Sequence, residues 1–266
     1  MHRKKKQSNS LNLAGIFIGI VILIIFLSFL FKLVSLMQQS HFDSKHTYNL
    51  EVIKDNKKSI ISFSPQNKSI SILHIQDSQK INDLKTYIGV LVDGELILKN
   101  QDFNYNKLFQ SLLKTSFSFD AKFRNLTVID TLRLAVFAKS ISSGSLFERT
   151  ISQENSQPEN TSIIQFSFGD PTIKEENKSI EIINATDTFG LGTRLATLIS
   201  NMSGNVILVN SKELQKKSQI LYYGEKSYTV KRLGTYLNFP IFKSQNREVA
   251  DVTIIIGEDS LKDLKF

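Results

Sequence analysis

Nineteen consecutive residues, Leu13 to Phe31, carry no charge, and fifteen of them are Leu, Ile, Val or Phe. At roughly −0.3 kcal/mol or better per apolar residue, a helix over this segment favours a bilayer by about 5 kcal/mol. It would rise roughly 28 Å, close to the thickness of the hydrocarbon core. Arg3, Lys4, Lys5 and Lys6 precede it. Because basic flanks resist translocation, they predict a cytoplasmic N-terminus and place the rest of the chain outside. A cleaved signal peptide has a shorter apolar stretch, roughly 7 to 15 residues, and a small-x-small site. Here the apolar run continues past Lys32 through Leu33, Val34, Leu36 and Met37 to Gln38 and Gln39, with no such site. The pattern predicts a cytoplasmic basic tail (1–12) and an uncleaved transmembrane helix (13–37). Gly15 and Gly19 have the GxxxG spacing that lets transmembrane helices approach closely.

The formal net charge of +8 invites a nucleic-acid reading, and its distribution excludes it. Five cations and no acid lie in the first 32 residues, so only +3 is spread over everything beyond. That excess is an ordinary solvated surface, without the dense basic stripe that a phosphate backbone requires. Lys4 to Lys6 instead suit anionic lipid head groups. The chain has no cysteine, which removes disulfides, thiolate chemistry and cysteine-based zinc sites. Four histidines are too few and too scattered for a zinc site.

Beyond His46 the alternation of Tyr48, Leu50 and Val52, of Ile60 to Phe63, and of Ile70, Ile72 and His74 predicts strands, with a hairpin turn at Ser64-Pro65-Gln66-Asn67-Lys68. A further strand is predicted over Tyr87 to Val92, returning at Asp93-Gly94 into Glu95 to Leu98. Leu108, Leu112 and Leu113 predict a helix, and Leu132, Val136 and Lys139 mark the turns of another. Ser152 to Asn160 has no apolar residue, so 152–178 is read as a linker holding one isolated strand, Ile163 to Phe168.

The segment 179–259 has the clearest pattern. Ile180, Ile182 and Ile183 form a strand, and Leu191, Leu195, Leu198, Ile199 and Met202 form one helical stripe. Val206 to Val209 and Ile220 to Tyr223 are strands, while Val230, Leu233 and Leu237 form a second helical face. Val252 to Ile256 suits a strand buried on both sides. The order β, α, β, β, α, β is that of a compact α/β sandwich. The predicted fold class is therefore α/β, an N-terminal transmembrane helix followed by two small α/β (α+β) extracytoplasmic domains, 47–151 and 179–259.

Three runs carry a family resemblance: Ile180-Glu181-Ile182-Ile183-Asn184-Ala185-Thr186, Gly190-Leu191-Gly192-Thr193-Arg194-Leu195-Ala196, and Ala250-Asp251-Val252-Thr253-Ile254-Ile255-Ile256-Gly257. In order and spacing they resemble the LytR C-terminal domain family, a module appended to many LytR-CpsA-Psr envelope proteins. The resemblance implies an extracytoplasmic, envelope-associated module and no enzyme by itself. Upstream, Ser62 to Leu73 is similar to the opening hairpin of the LytR-CpsA-Psr catalytic domain, which transfers a lipid-pyrophosphate-linked glycopolymer to the cell wall. In that family a Pro-Arg-Asp motif follows; here the stretch reads Ile75-Gln76-Asp77. Asp77 is thus the one weak catalytic candidate, and the arginine position holds Gln76. The resemblance implies a degenerate first domain.

Pyrophosphate transfer needs converging cations and carboxylates. Arg124 and Arg133 are candidates for a phosphate pocket if they meet in space. Gly190 and Gly192, between a strand and a helix, resemble the start of a phosphate-cradling turn, yet Leu195 stands where a third glycine belongs. His74 needs a spatial partner to act as a base. Tyr222, Tyr223, Tyr228 and Tyr236 offer either a sugar-binding platform or core packing. The favoured ligand-binding loop runs from Asn184 to Arg194 and includes Thr186, Gly190 and Gly192, at the carboxyl end of a strand where open α/β sheets bind.

The sequence reading favours a membrane-anchored, non-catalytic envelope protein that binds or organises cell-wall polymer or envelope partners, with lipid contacted through residues 13–37. No metal, cofactor or nucleic acid is expected. The alternative is a divergent LytR-CpsA-Psr-type phosphotransferase.

Overall fold

The computed structural model describes residues 8–38, 40–76, 88–99, 102–151 and 157–262. Asp77 lies outside them, as do Tyr87 and the first part, 152–156, of the expected linker. The chain divides into an N-terminal helix and a compact unit from His41 onward.

Helix α1 spans Ser8–Gln38. Its stretch Ala14–Lys32 is long and apolar enough to cross a membrane, and it is the one such helix among the described residues. Large apolar side chains such as Phe17, Leu23 and Phe31 are exposed around its circumference, so it is not the amphipathic helix of a soluble surface.

The unit from His41 holds two sheets. In the first, strands β1 (Tyr48–Lys54), β2 (Lys57–Ser64), β3 (Ser69–Ile75), β4 (Gly94–Leu98), β5 (Ala121–Arg124) and β6 (Leu146–Ile151) lie in the order β5-β4-β1-β2-β3-β6. The hairpin at Ser64 to Lys68 forms, pairing Ser64 with Ser69 and Ile60 with Leu73. One sheet face carries Leu50, Val52, Ile61, Phe63, Ile70 and Ile72 beneath helices α2 (Leu108–Ser116) and α3 (Val128–Ser140). The α3 face differs from the one expected. Thr131, Leu134 and Ala135 are buried, whereas Val136 is 67% exposed.

Asp130 opens α3 with a reciprocal capping box to Thr127. The same carboxylate is fully buried and accepts the backbone N–H groups of His41 and Phe42 at 2.9 Å each. The first residues of the unit are thereby fastened to this helix, with Phe42 packed edge-on against Tyr48 and Phe137.

The expected strand over Tyr87 to Val92 does not form among the described residues. Residues 89–93 join no ladder, and β4 runs parallel to β1 rather than returning through a hairpin. Alternation is nevertheless present, because the segment is clasped from two sides. Ile88, Val90 and Val92 pack with Ile60, Leu73 and Ile75 under the first sheet, while Leu91 enters the core of the second. Side chains replace the missing ladder. Asn49 Nδ2 donates to the Leu91 carbonyl at 2.8 Å, and Asn201 Nδ2 donates to those of Ile88 and Gly89 at 3.2 and 3.0 Å.

The expected strand Ile163 to Phe168 is corrected to part of helix α4, Gln157–Phe168. Ile164, Ser167 and Phe168 are buried at helical spacing, and Phe166 is exposed. Helix α5 (Pro171–Glu176) follows, capped by Asp170.

The second sheet comprises β7 (Ser179–Asn184), β8 (Asn205–Ser211), β9 (Gln219–Tyr222), β10 (Ile241–Lys243) and β11 (Val252–Ile256), in the order β10-β9-β11-β7-β8. The short β10 is additional to the predicted order. All five residues of β11 are buried. Helices α6 (Leu191–Asn201) and α7 (Tyr228–Leu237) cover one face through Leu195, Leu198, Ile199, Val230, Leu233 and Leu237.

An ion pair joins the two sheet-containing domains. Arg232 of α7 meets Asp93 bidentately, Nη1 to Oδ1 at 2.7 Å and Nη2 to Oδ2 at 2.8 Å. Burial opposes the guanidinium charge, but the Asp93 carboxylate outweighs it and holds the arginine pKa above its ordinary value. Beside it Tyr228 stacks on His46 at 4.0 Å and donates its hydroxyl to Asp170 at 2.9 Å.

Candidate functional site

The loop after β7 is held by its own polar side chains. Asn184 Oδ1 accepts the backbone N–H of Thr186 at 3.2 Å and its hydroxyl at 2.8 Å, while Asn184 Nδ2 donates to the Thr188 carbonyl at 2.9 Å. Thr186 Oγ1 in turn accepts the Thr188 N–H at 3.2 Å. The loop then turns into α6 at Gly190, whose φ of +77° is the left-handed conformation that favours glycine. A side chain at Gly192 would bring Cβ within 3.0 Å of Val209 Cγ1, so glycine there lets α6 settle against β8.

These features enclose an open cleft of about 690 Å³ at the carboxyl ends of β7 and β8, lined by Asn184, Phe189, Gly190, Gly192, Thr193, Arg194, Val209, Asn210 and Ser211. Four of the five loop candidates, Asn184, Gly190, Gly192 and Arg194, line it together; Thr186 stands behind them as the brace for Asn184. Sequence reasoning did not single out Phe189, which is 97% exposed at the cleft, Thr193, or the three residues from β8. The signal for Phe189 was available, since a large aromatic inside a polar turn has no strand or helix face to bury it. Gly190 provides no side-chain cap for α6, so the first turn of the helix presents its N–H end to the cleft. The cleft therefore offers an aromatic face, the Asn210 amide, two hydroxyls and a cation, without an acid or a histidine among its lining residues, while the Asn184 amide is committed to its own loop.

The other sequence candidates separate. Arg124 pairs with Glu95 on the neighbouring strand at 3.3 Å, and Arg133 donates to the Phe42 carbonyl before β1 at 3.1 Å, so each is engaged with a different partner. Tyr222, Tyr228 and Tyr236 pack against the second core rather than forming a platform. His74 does find partners. Ser59 Oγ lies 3.0 Å from Nδ1 and Glu148 Oε1 lies 2.6 Å from Nε2, with the Tyr105 ring edge-on at 4.7 Å. This network ties β2, β3 and β6 together across one sheet face, and Ser59 is buried within it. Among the described residues no group of three or more His, Asp or Glu side chains is placed to hold a metal ion.

The three runs that shape this domain, the β7 strand with its Asn-Ala-Thr turn, the Gly-Leu-Gly entry to α6 and the buried β11, fall within a single family match, that of the LytR_C model, described as LytR cell envelope-related transcriptional attenuator, over residues 177–259. Residues 177–259 match the LytR_C family model. The match covers about a third of the chain and all nine residues of the cleft. The LytR_C domain thus comprises the whole second sheet and helices α6 and α7. No curated protein matches the chain. Among solved structures, similarity extends to the Lin1025 protein of Listeria innocua, 13% identical over 70% of this chain and 89% of that one, with a TM-score of 0.20. The Listeria monocytogenes protein Lmo1026 (fragment 52–321) is 10% identical over 83% of this chain and 95% of that one, again with a TM-score of 0.20. Scores this low carry nothing about fold or activity.

Proposed function

We propose that the protein is a single-pass, membrane-tethered cell-envelope protein whose LytR_C domain binds cell-wall glycopolymer in the cleft between the Asn184 to Arg194 loop and the end of β8. The N-terminal helix is the tether, and the basic Arg3 to Lys6 run keeps the N-terminus cytoplasmic. The observation that carries the reading is the exposed Phe189 ring beside Asn184, Asn210, Thr193 and Arg194. An aromatic face takes the apolar side of a sugar ring, the Asn210 amide and the hydroxyls take its hydroxyl groups, and Arg194 with the open end of α6 suits an anionic substituent. A lining without acid or histidine supports retention of a polymer rather than cleavage of one, since proton transfer at a glycosidic or phosphate ester bond needs a titrating group within reach.

The test is sedimentation of the full chain with purified cell-wall sacculi, with and without attached anionic polymer. Phe189→Ala and Arg194→Ala are each expected to reduce the bound fraction at least tenfold while leaving the far-ultraviolet circular dichroism unchanged. Equal binding by both variants would remove the cleft from the function. The transferase alternative gains no support from Arg124 and Arg133, which engage Glu95 and the Phe42 carbonyl.

A further inference from the structure

Two sheets have four outer strands, and three of them are guarded. Strand β5 carries Lys122 and Arg124, β6 carries Glu148 and Arg149, and β10 carries Lys243. Charges on an outer strand deter pairing with another chain. The fourth, β8, reads Asn-Val-Ile-Leu-Val-Asn-Ser and has no charge at all. It is also exposed along its length, with Ile207 at 48%, Leu208 at 37% and Val209 at 41%. Its register against β7 slips at Ile207, which has no partner on that strand and is the most exposed of the three.

The order of residues indicates what the strand is suited to meet. From Asn205 to Asn210 the sequence is Asn-Val-Ile-Leu-Val-Asn, the same in both directions apart from the exchange of Ile for Leu. In an antiparallel pair about a two-fold axis between Ile207 and Leu208, Asn205 meets Asn210 of the other copy, Val206 meets Val209 and Ile207 meets Leu208. A two-fold interface requires this self-complementarity, residue i against j and j against i. Amide faces amide, β-branched faces β-branched, and no like charges are opposed. We propose that β8 is a self-association edge through which two copies of this chain join their second sheets into one continuous ten-stranded sheet. The pairing would set the two Ser211 ends about 23 Å apart, from seven residues at about 3.3 Å each.

The absence of cysteine makes the test clean. The full chain is reconstituted in lipid nanodiscs large enough for two copies, or in mild detergent, and its mass is measured by light scattering. A dimer is expected, and Ile207→Lys and Leu208→Lys are each expected to raise its dissociation constant more than tenfold with an unchanged dichroism spectrum. These two residues lie outside the cleft. In a second arm, differently tagged Ile207→Cys and Leu208→Cys chains are mixed and oxidised. Disulfide between the two variants should exceed that within either alone at least fivefold. A wild-type chain that stays monomeric would overturn the proposal. So would a dimer that either lysine leaves intact, which would point instead to the Gly15 and Gly19 face of α1. Should a lysine variant fail to fold, the cysteine arm decides, because lack of preference for the mixed disulfide rejects the pairing.

Discussion

The Arg232–Asp93 pair is a bond between domains that can be weighed. Its side chains are 19% and 9% exposed, and the two contacts at 2.7 and 2.8 Å are parallel. Breaking a buried pair by removing one member costs about 3–5 kcal/mol, because the other is left desolvated and uncompensated. Arg232 keeps some water access and donates to the Thr47 carbonyl at 3.5 Å, so Asp93→Ala should sit at the low end, about 3 kcal/mol. Arg232→Met should cost less, about 2 kcal/mol, since Asp93 retains the Asn49 N–H at 2.8 Å. The double variant should cost about 3 kcal/mol rather than the sum, giving a coupling near 2 kcal/mol. Urea titration of the full chain in mild detergent, followed by circular dichroism, reads these values; 3 kcal/mol moves the midpoint by about 1 M when m is about 3 kcal/mol/M. Additive single effects, with coupling below about 0.5 kcal/mol, would refute the claim that this pair fastens the two sheets together.

Acid should weaken the unit in a defined window. Burial raises the pKa of Glu176, yet hydrogen bonds from Thr229 and Tyr228 outweigh it and hold the carboxyl below 4.5; Asp43, Asp251 and Asp259 are likewise held below 3.8, against burial, by bonds from His46, Ser179 and Ser218. Groups depressed in the fold stabilise it fully above their unfolded pKa and lose that contribution as pH falls through the folded one. The thermal midpoint should therefore fall below about pH 4.5, with a shallower slope in Glu176→Gln; a flat profile would contradict the bonding described. A side chain at Gly257 would place Cβ 2.6 Å from the Lys217 carbonyl carbon, whereas Gly190 has open space and only a left-handed φ. Gly257→Ala should thus cost about 2–3 kcal/mol and Gly190→Ala about 1 kcal/mol in the same titration. Asp130→Ala, which strips the α3 cap and two further backbone N–H groups, should cost at least about 3 kcal/mol and speed amide exchange at His41 and Phe42.

Elements whose own residues carry a single clear pattern were legible in the sequence. The β2–β3 hairpin, β7, α6 and β11 each have one dominant period and a local stop signal, and the family match over 177–259 agrees with the motifs that suggested it. The failures lie where a segment serves two neighbours. Ile88, Val90 and Val92 alternate as a strand would, but Leu91 faces another core, and the backbone is held by Asn49 and Asn201 from distant elements. The expected strand Ile163 to Phe168 is helical instead, and that spacing buries Ile164, Ser167 and Phe168 and exposes Phe166. The cleft was half visible. Its loop carries turn chemistry readable locally, but β8 joins it only through parallel pairing with β7, a contact that no local pattern announces.

Strand β11 lies between β7 and β9, so the middle of the second sheet is supplied by a segment that leaves the ribosome after every other strand of the described residues. The first sheet's hairpins can zip as they emerge; the second must wait with its keystone missing. A premature stop or proteolytic nick just before Val252 would not trim this domain. It would strip the sheet of its spine, leave β7 and β9 each with an open flank, and turn a folded module into a substrate for quality control.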